Sequence, residues 1–454
     1  MARAFRPSDR SLLLALSDAA SATTAVLVAM WTWSLTAGLA FSPDFVRDQA
    51  LWFLAVPIWV TALSPTRHAR VALDLRETLA GLLNASGALF VAYLAAYFYL
   101  GPDVLPRLMA MYILWNAAWL TLGGRLLLLW TLTRDPFMRR MLVLGDGTEA
   151  AAVLALAREP GLRDVQVIAP GQSAEANALD PGGRSESIEE MALRLDATEV
   201  VLAVRGPVSD QTLDQLLKCQ EAGIDVVTFA RVYEQTLQRV PVRDLGHRWL
   251  FTQLFSGTGR DPSPVAKRLL DVVVAVALGI PGTVLGLVAA IAILLESGRP
   301  VFYSQLRQGR GGRLFRLTKF RTMKLDAEVD GPRWSPKDDP RITRVGRVLR
   351  KTHVDELPNL WAVLRGDMSM VGPRPERPEF IASLEREVPL YRTRLTVAPG
   401  LTGWAQVNTE YGDSVEDATT KLEYDLYYVR HRSLWFDIGI MARTVGRMLG
   451  WKGR

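Results

Sequence analysis

The spacing of apolar positions divides the chain into regions of different period. Before residue 135, four apolar stretches dominate: Leu12–Phe41, Ala50–Leu63, Leu79–Leu100 and Leu108–Leu132. A helix needs about 20 residues to cross a bilayer, and only the second stretch falls short of that. Arg3, Arg6 and Arg10 precede the first stretch. Arg67, Arg70 and Arg76 separate the second from the third, and Arg134, Arg139 and Arg140 follow the fourth. The other two connections carry little positive charge, so the asymmetry predicts four transmembrane helices over residues 1–135 with both ends in the cytoplasm.

From Met141 the pattern alternates. Met141–Leu144, Val165–Ala169, Glu199–Val204 and Asp225–Phe229 read as strands; Glu149–Arg158, Ile188–Leu195 and Gln211–Ala222 read as the helices between them. This βαβ rhythm predicts a small Rossmann-like parallel domain over residues 139–250. Its first turn, Gly145-Asp146-Gly147-Thr148-Glu149-Ala150, has the form that cradles a nucleotide phosphate. The second strand ends Ile168-Ala169-Pro170, without the acid a ribose contact would want, so a non-catalytic domain is the default expectation. Residues 171–184 read as a loop.

A linker around Ser256–Pro264 leads to a fifth apolar stretch, Val272–Leu295, with Gly279-Ile280-Pro281-Gly282 at its middle. Proline removes a helix hydrogen bond there. Lys267 and Arg268 come before it, and Arg299, Arg307, Arg310, Arg313, Arg316, Lys319 and Arg321 follow. Positive charge on both sides disagrees with a simple crossing, which predicts a broken, re-entrant membrane helix over 264–298; a kinked ordinary span is the alternative. The remainder, 299–454, is polar and basic. Its last segment, Lys421–Leu449, suits either an amphipathic helix at a membrane interface or packing on the domain core.

Composition sharpens this picture. Of the 454 residues, 49% are hydrophobic and 13 are Trp, which accords with membrane spans, and the net charge of +6 suits an anionic partner. The single cysteine, Cys219, excludes an intrachain disulfide and reads as a small buried residue.

The candidate chemistry lies in Arg350-Lys351-Thr352-His353-Val354-Asp355-Glu356-Leu357-Pro358-Asn359-Leu360-Trp361. Thr352 reads as an N-cap, Leu357, Leu360, Trp361 and Leu364 as one apolar helix face, and Gly366 as the stop. That places Asp355 and Glu356 at a helix N-terminus, where the dipole keeps acids ionised. Beside Arg350 and Lys351, such carboxylates suit a nucleophile or a metal ligand acting on a phosphorylated substrate; an acidic cap with surface bases is the plain alternative.

The surrounding run is specific. It includes Arg307-Gln308-Gly309-Arg310-Gly311-Gly312-Arg313, Lys319-Phe320-Arg321-Thr322-Met323, Asp338-Asp339-Pro340-Arg341, Asp367-Met368-Ser369-Met370-Val371-Gly372-Pro373-Arg374-Pro375 and Pro399-Gly400-Leu401-Thr402-Gly403-Trp404. From about Ala266 onward the chain closely resembles the bacterial sugar transferases, the monotopic phosphoglycosyl transferases. As a whole it resembles their long form, the polyprenyl-phosphate hexose-1-phosphate transferases. The resemblance implies an α/β membrane protein: four-helix transmembrane bundle, small Rossmann-like domain, re-entrant helix, and a mainly α cytosolic catalytic domain over 299–454 at the bacterial inner membrane. It implies that Asp355 takes a hexose phosphate from a UDP-sugar donor, releasing UMP, and that polyprenyl phosphate then accepts it, as the first membrane step of exopolysaccharide, capsule or O-antigen synthesis. Glucose and galactose lead among the sugars. Glu356 is implied as the ligand of Mg²⁺, and Arg350, Arg374, Lys319 and Arg321 as phosphate-binding cations. Lys267, Arg268 and Asp271 match the family's Lys-Arg-x-x-Asp at the membrane entrance, where they anchor the re-entrant helix or guide the lipid phosphate, anchoring being the favoured role; Pro281 is the break in that helix. Two departures stand out: Ile280 precedes the proline where the family commonly has Ser, and His353 takes a place often held by a small polar residue. A lone His is usually packing or a cap, so it is not assigned as a base.

Nucleic acid is not an expected partner, and the oligomeric state stays open, a homodimer included. Two rivals remain. A membrane-anchored nucleotide-sugar dehydratase or epimerase would need Tyr-x-x-x-Lys, which the C-terminal half lacks. A non-enzymatic polysaccharide-assembly scaffold would not require Asp355, Glu356 and the Pro-Arg-Pro turn together.

Overall fold

The computed structural model describes residues 7–63, 75–100, 105–132, 139–145, 147–156, 165–168, 187–204, 208–243, 262–325, 327, 339–409 and 414–447. Asp146, the expected loop 171–184, most of the linker 256–264 and Asp338 lie outside these residues. The chain divides into two compact units, Met1–Gln238 and Arg239–Arg454.

In the first unit, helices α1 (Pro7–Ala37), α2 (Ala55–Ala62), α3 (Leu75–Leu100) and α4 (Arg107–Leu132) form a bundle. Of these, α1, α3 and α4 are long and apolar enough to cross a membrane. The expected second span is shorter than that: Ala50–Leu54 is a 3₁₀ turn that runs into α2. Small residues at the centre (Ala22, Ala25, Ala29, Ala85, Ala117) let the helices approach closely around Trp59 and Met109. Asp18 and Arg125 form a fully buried two-pronged ion pair between α1 and α4, at 3.1 and 2.9 Å.

The same unit holds a parallel sheet of β1 (Arg139–Leu144), β2 (Val165–Ile168), β3 (Glu199–Leu202) and β4 (Asp225–Thr228), in the order β2-β1-β3-β4. Helices α5 (Thr148–Leu156), α6 (Ile188–Arg194), α7 (Asp210–Glu221) and α8 (Phe229–Leu237) accompany it. Separate clusters around Val201 and Phe229, and around Leu142 and Cys219, build a core on each face. Gly145 has φ +135°, and a Cβ there would meet the carbonyl oxygen of Ala203 at 2.1 Å. Strand packing is thereby sufficient to require this glycine.

The second unit begins with Arg239–Arg243, which the sequence reading places with the α/β domain; Val240 donates its N–H to Glu423 O and shares the core of this unit. Helix α9 (Pro264–Ser297) follows as one helix of 34 residues, not two halves broken at Pro281. Although Pro281 has no N–H for the ladder, Thr283 adds a hydroxyl bond of 2.7 Å to Gly279 O. Next comes an antiparallel hairpin, β5 (Phe302–Gln308) and β6 (Leu314–Phe320), turning through Gly311 and Gly312 at positive φ. The sequence reading of a mainly α domain missed this hairpin. The remaining elements include α10 (Arg344–Thr352), α11 (Asn359–Arg365), β7 (Ser369–Val371), α12 (Pro378–Glu387), β8 (Gly400–Thr402), α13 (Val415–His431) and α14 (Leu434–Gly446). The expected single C-terminal helix is broken at Ser433, whose side chain caps α14 by accepting Phe436 N–H. Leu422, Leu426 and Tyr428 of α13 are in the core, so core packing prevails there over the membrane interface.

Candidate active site

Three elements converge on Asp355 and Glu356. The first is α10, whose N-cap Thr343 accepts Gly346 N–H and whose C-cap His353 adopts φ +58°. Thr352 is therefore the end of a helix, not the start of one; its hydroxyl donates back to Val348 O and Leu349 O. The left-handed turn at His353 throws the chain into a 3₁₀ turn, Val354–Glu356, before α11 begins at Asn359. His353 is exposed, and its part in the site is this turn.

The second element is β6. Its period of two sends Leu317 and Lys319 to one face and Phe320 to the other, against Gly286 of α9. Third is the loop Gly372-Pro373-Arg374-Pro375. A Cβ at Gly372 would meet Ala398 O at 2.3 Å, and Gly400 N–H donates to Pro373 O at 2.9 Å. That close backbone approach holds Arg374 between two prolines.

Glu356 Oε1 then receives Lys319 Nζ at 2.5 Å and Arg374 Nη2 at 2.7 Å. Burial works against the charge on Glu356, but Arg374 and Lys319 outweigh it and hold the carboxyl well below the usual carboxylate range. Asp355 is its opposite. It is 8% exposed and, among the described residues, accepts no hydrogen bond. Burial pushes its carboxyl up; Lys319 opposes, Glu356 adds to the rise, and Arg350 and Arg374 oppose. Arg350 itself is tied to Thr322 Oγ1 at 2.9 Å. Two adjacent acids thus differ: one clamped and firmly ionised, one buried and without a partner. A shallow cleft open to solvent lies beside Glu356, lined also by Lys319, Arg374, Arg307, Asn359 and Leu401 among others.

The family model described as bacterial sugar transferase matches residues 262–451. Over 205 residues the chain is 42% identical to a Caulobacter vibrioides protein named UDP-glucose:undecaprenyl-phosphate glucose-1-phosphate transferase, covering 44% of this chain and 77% of that one. The chain belongs to the bacterial sugar transferase family. It is also 40% identical over 238 residues to a UDP-N-acetylgalactosamine-undecaprenyl-phosphate N-acetylgalactosaminephosphotransferase of Aeromonas hydrophila, covering 52% of this chain and 54% of that one. With an undecaprenyl-phosphate glucose phosphotransferase of Komagataeibacter xylinus it shares 33% identity over 328 residues, 70% of this chain and 60% of that one. The match thus spans little more than half the length of these last two bacterial sugar transferases.

In this member of the family the expected site residues Asp355, Glu356, Lys319 and Arg374 come together, with Arg350 close enough to act on Asp355. Three other expected cations make contacts outside this cluster. Arg321 is turned to the end of α9, where Nη2 donates to Ser297 O, Ser297 Oγ and Gly298 O, all at 2.8 Å; it caps a helix and does not face the cleft. Arg268 donates to the last carbonyls of α11, Val363 O at 2.6 Å and Leu364 O at 2.5 Å. Lys267 lies between Asp271 and Asp437. Both dock α9 onto the rest of its unit, in keeping with the anchoring role that the sequence favours for them over guiding a lipid phosphate.

Sequence reasoning missed Arg394. Its Nη2 donates to the backbone carbonyl of Arg374 at 2.9 Å, while Nε and Nη1 engage Asp425 and Tyr391. Arg307 and Asn359 of the cleft were likewise unassigned. Among the described residues no three His, Cys, Asp or Glu side chains gather as a metal cage. What the site does offer is Glu356 Oε2, free of hydrogen bonds among the described residues, with Asp355 alongside. One or two carboxylates, completed by phosphate and water, are the donor set that suits Mg²⁺.

Proposed function

We propose that the protein transfers a hexose 1-phosphate from a UDP-hexose to polyprenyl phosphate at the bacterial inner membrane, through a phosphosugar carried on Asp355. The observation that carries this reading is the inequality of the two acids: Asp355 buried and unpartnered, Glu356 clamped by Lys319 and Arg374. A carboxylate without hydrogen bonds keeps its lone pairs available for attack. In the first step an Asp355 oxygen attacks the β-phosphorus of the donor. The bond from that phosphorus to the bridging oxygen breaks, and UMP leaves. In the second, an oxygen of polyprenyl phosphate attacks the same phosphorus, the bond to Asp355 breaks, and the lipid-linked diphosphosugar departs with the carboxylate restored. Arg374 and Lys319, both beside the acid pair, are the cations to offset charge on the phosphoryl oxygens, and Arg350 favours the ionised form of Asp355. Mg²⁺ would be held by Glu356, with Asp355 adjacent, and would supply neutralisation of the donor diphosphate. Taking the two anionic substrates in turn avoids holding both at once.

The membrane arrangement follows from α9. Its first turn is fastened to the catalytic domain through Lys267 and Arg268, its middle through Gly282 against Leu357, and its end through Arg321 and through Glu296, which accepts the N–H groups of Arg344 and Val345. A helix anchored at both ends to one soluble domain supports entry and exit on the same face of the bilayer, which we take to be cytoplasmic. Its other side carries exposed Leu269, Val273, Ile280, Leu287 and Ile291 to meet lipid.

The test is transfer in isolated membranes from radiolabelled UDP-hexoses to polyprenyl phosphate. Labelled lipid and released UMP are expected, both reduced to background by Asp355→Asn. Unchanged transfer by that variant would remove Asp355 from its role.

A further inference from the structure

Arg307 projects from β5 on the hairpin face that also carries Leu317 and Lys319, since Arg307 stands opposite Phe315 and Tyr303 opposite Lys319. It lines the cleft with Glu356, Arg374 and Asn359. Lys319 and Arg374 both contact Glu356 Oε1. Arg307 does not touch Glu356. Its Nη1 donates to Pro375 O at 2.8 Å and lies 3.5 Å from Glu376 Oε2, its Nε is buried with no acceptor, and its Nη2 has none among the described residues. A guanidinium has five N–H donors in a planar fork, and this one uses few of them. Burial and the like charges of Arg374 and Arg377 press its pKa down to about 10, against the pull of Glu376. On the same cleft, Asn359 is 2% exposed and its Oδ1 is a buried acceptor with no donor. Buried polar groups left unmatched in this way are rare, and here two of opposite kind line one cleft.

We propose that Arg307 holds a phosphate monoester next to the reacting phosphorus, with Asn359 accepting a hydrogen bond from the molecule that carries it. This rests on the reaction described above and adds to it. The group that leaves in the first step, the nucleotide phosphate, and the group that attacks in the second, the lipid phosphate, are both phosphate monoesters. They approach the same phosphorus from the side opposite the Asp355 bond. One planar cation can therefore serve both in turn: it takes up charge on the bridging oxygen as its bond to phosphorus breaks, and later orients the lipid phosphate oxygen that forms the new bond. Between the two events it is left underused, as it is in the structure.

The experiment measures UMP binding to the full-length protein in lipid nanodiscs by calorimetry, with inorganic phosphate as competitor, and KM for polyprenyl phosphate in the transfer assay. Wild type, Arg307→Gln and Arg307→Lys are compared, with thermal melting as the check on folding. Arg307→Gln is expected to weaken UMP binding tenfold or more and to raise the acceptor KM by a similar factor, with Arg307→Lys intermediate. Loss confined to UMP, or to the acceptor, supports the same subsite and assigns it to that source alone. UMP binding and acceptor KM within twofold of wild type in both variants would overturn the proposal, as would a lowered melting temperature with slower phosphosugar formation at unaltered affinity, because that pattern belongs to a clamp on Pro375. Binding does not require Asp355, so failure of Asp355→Asn to abolish transfer would count against the covalent route without deciding the role of Arg307.

Discussion

Lys267 Nζ lies 2.7 Å from Oδ2 of Asp437, joining the first turn of α9 to the first turn of α14. The same ammonium reaches Asp271 at 3.1 Å, while Tyr428 donates to Asp437 Oδ1 and Ser369 to Asp271 Oδ1. One cation is thus shared by two acids that are both almost wholly buried. Removing it leaves charge without a counter-ion, which typically costs about 3–5 kcal/mol. Lys267→Met is therefore expected to lower the melting temperature of the detergent-solubilised protein by several degrees. An unaltered melting curve would mean that the pair contributes nothing net to stability.

The carboxyl of Asp355 sets the acid side of the first step. Burial raises it above its ordinary value, so the ionised, attacking form is lost as pH falls through a point higher than for a free aspartate. Lys319 is the strongest opposing charge. Lys319→Met takes that charge away, favours the protonated acid, and should move the acid limb of single-turnover UMP release to higher pH. Glu356→Gln removes a neighbouring negative charge and should move it lower. A limb that shifts in the opposite direction for either variant would show that another group controls it.

The sequence made the apolar helices and the βαβ alternation legible because local periodicity suffices for both, and the adjacent acids stood out against a basic run. Three features were not legible. The hairpin was hidden because Arg316 and Lys319 interrupt its apolar alternation, although Gly309-Arg310-Gly311-Gly312 between two strand-like runs was a turn signal. Thr352 has the right chemistry for an N-cap, and only the left-handed turn at His353 makes it a helix end. The roles of individual cations depend on partners far away in sequence: Lys267 with Asp437, Arg268 with Val363, Arg394 with Asp425 and the carbonyl of Arg374. No spacing rule reveals these pairs, so Arg321, read as phosphate-binding, is found capping a helix, while Arg307 and Arg394 went unassigned.

Gly346 offers a test of how tightly α10 is seated. A Cβ there would lie 2.1 Å from the carbonyl oxygen of Thr322, a backbone atom that cannot turn aside. Gly346→Ala should therefore push α10 away from the strand end, with an overpacking cost of about 1–3 kcal/mol. Arg350 depends on that seating through its bond to Thr322 Oγ1. The expected result is a lower melting temperature together with slower phosphosugar formation. A variant with wild-type melting and rate would mean that the backbone yields there without disturbing Arg350.

The path of α9 through the bilayer can be decided by labelling. At 1.5 Å per residue its 34 residues extend for roughly 50 Å, long enough to cross the membrane. If it crossed, Ser263 and Gly298 would lie in different compartments. Yet Arg268 near its start caps α11, and Ser297 at its end is capped by Arg321, two contacts made with one domain. Val265→Cys and Arg299→Cys place thiols at exposed positions near the two ends, in a chain whose own cysteine, Cys219, is buried. Both should react with a membrane-impermeant maleimide in inverted vesicles and remain unlabelled in spheroplasts. Ile280→Cys, exposed on the lipid-facing side of the middle, should stay unlabelled from either direction until detergent is added. Labelling of Val265→Cys and Arg299→Cys from opposite faces would establish a true crossing, and the docking contacts along α9 could not then all persist in the membrane.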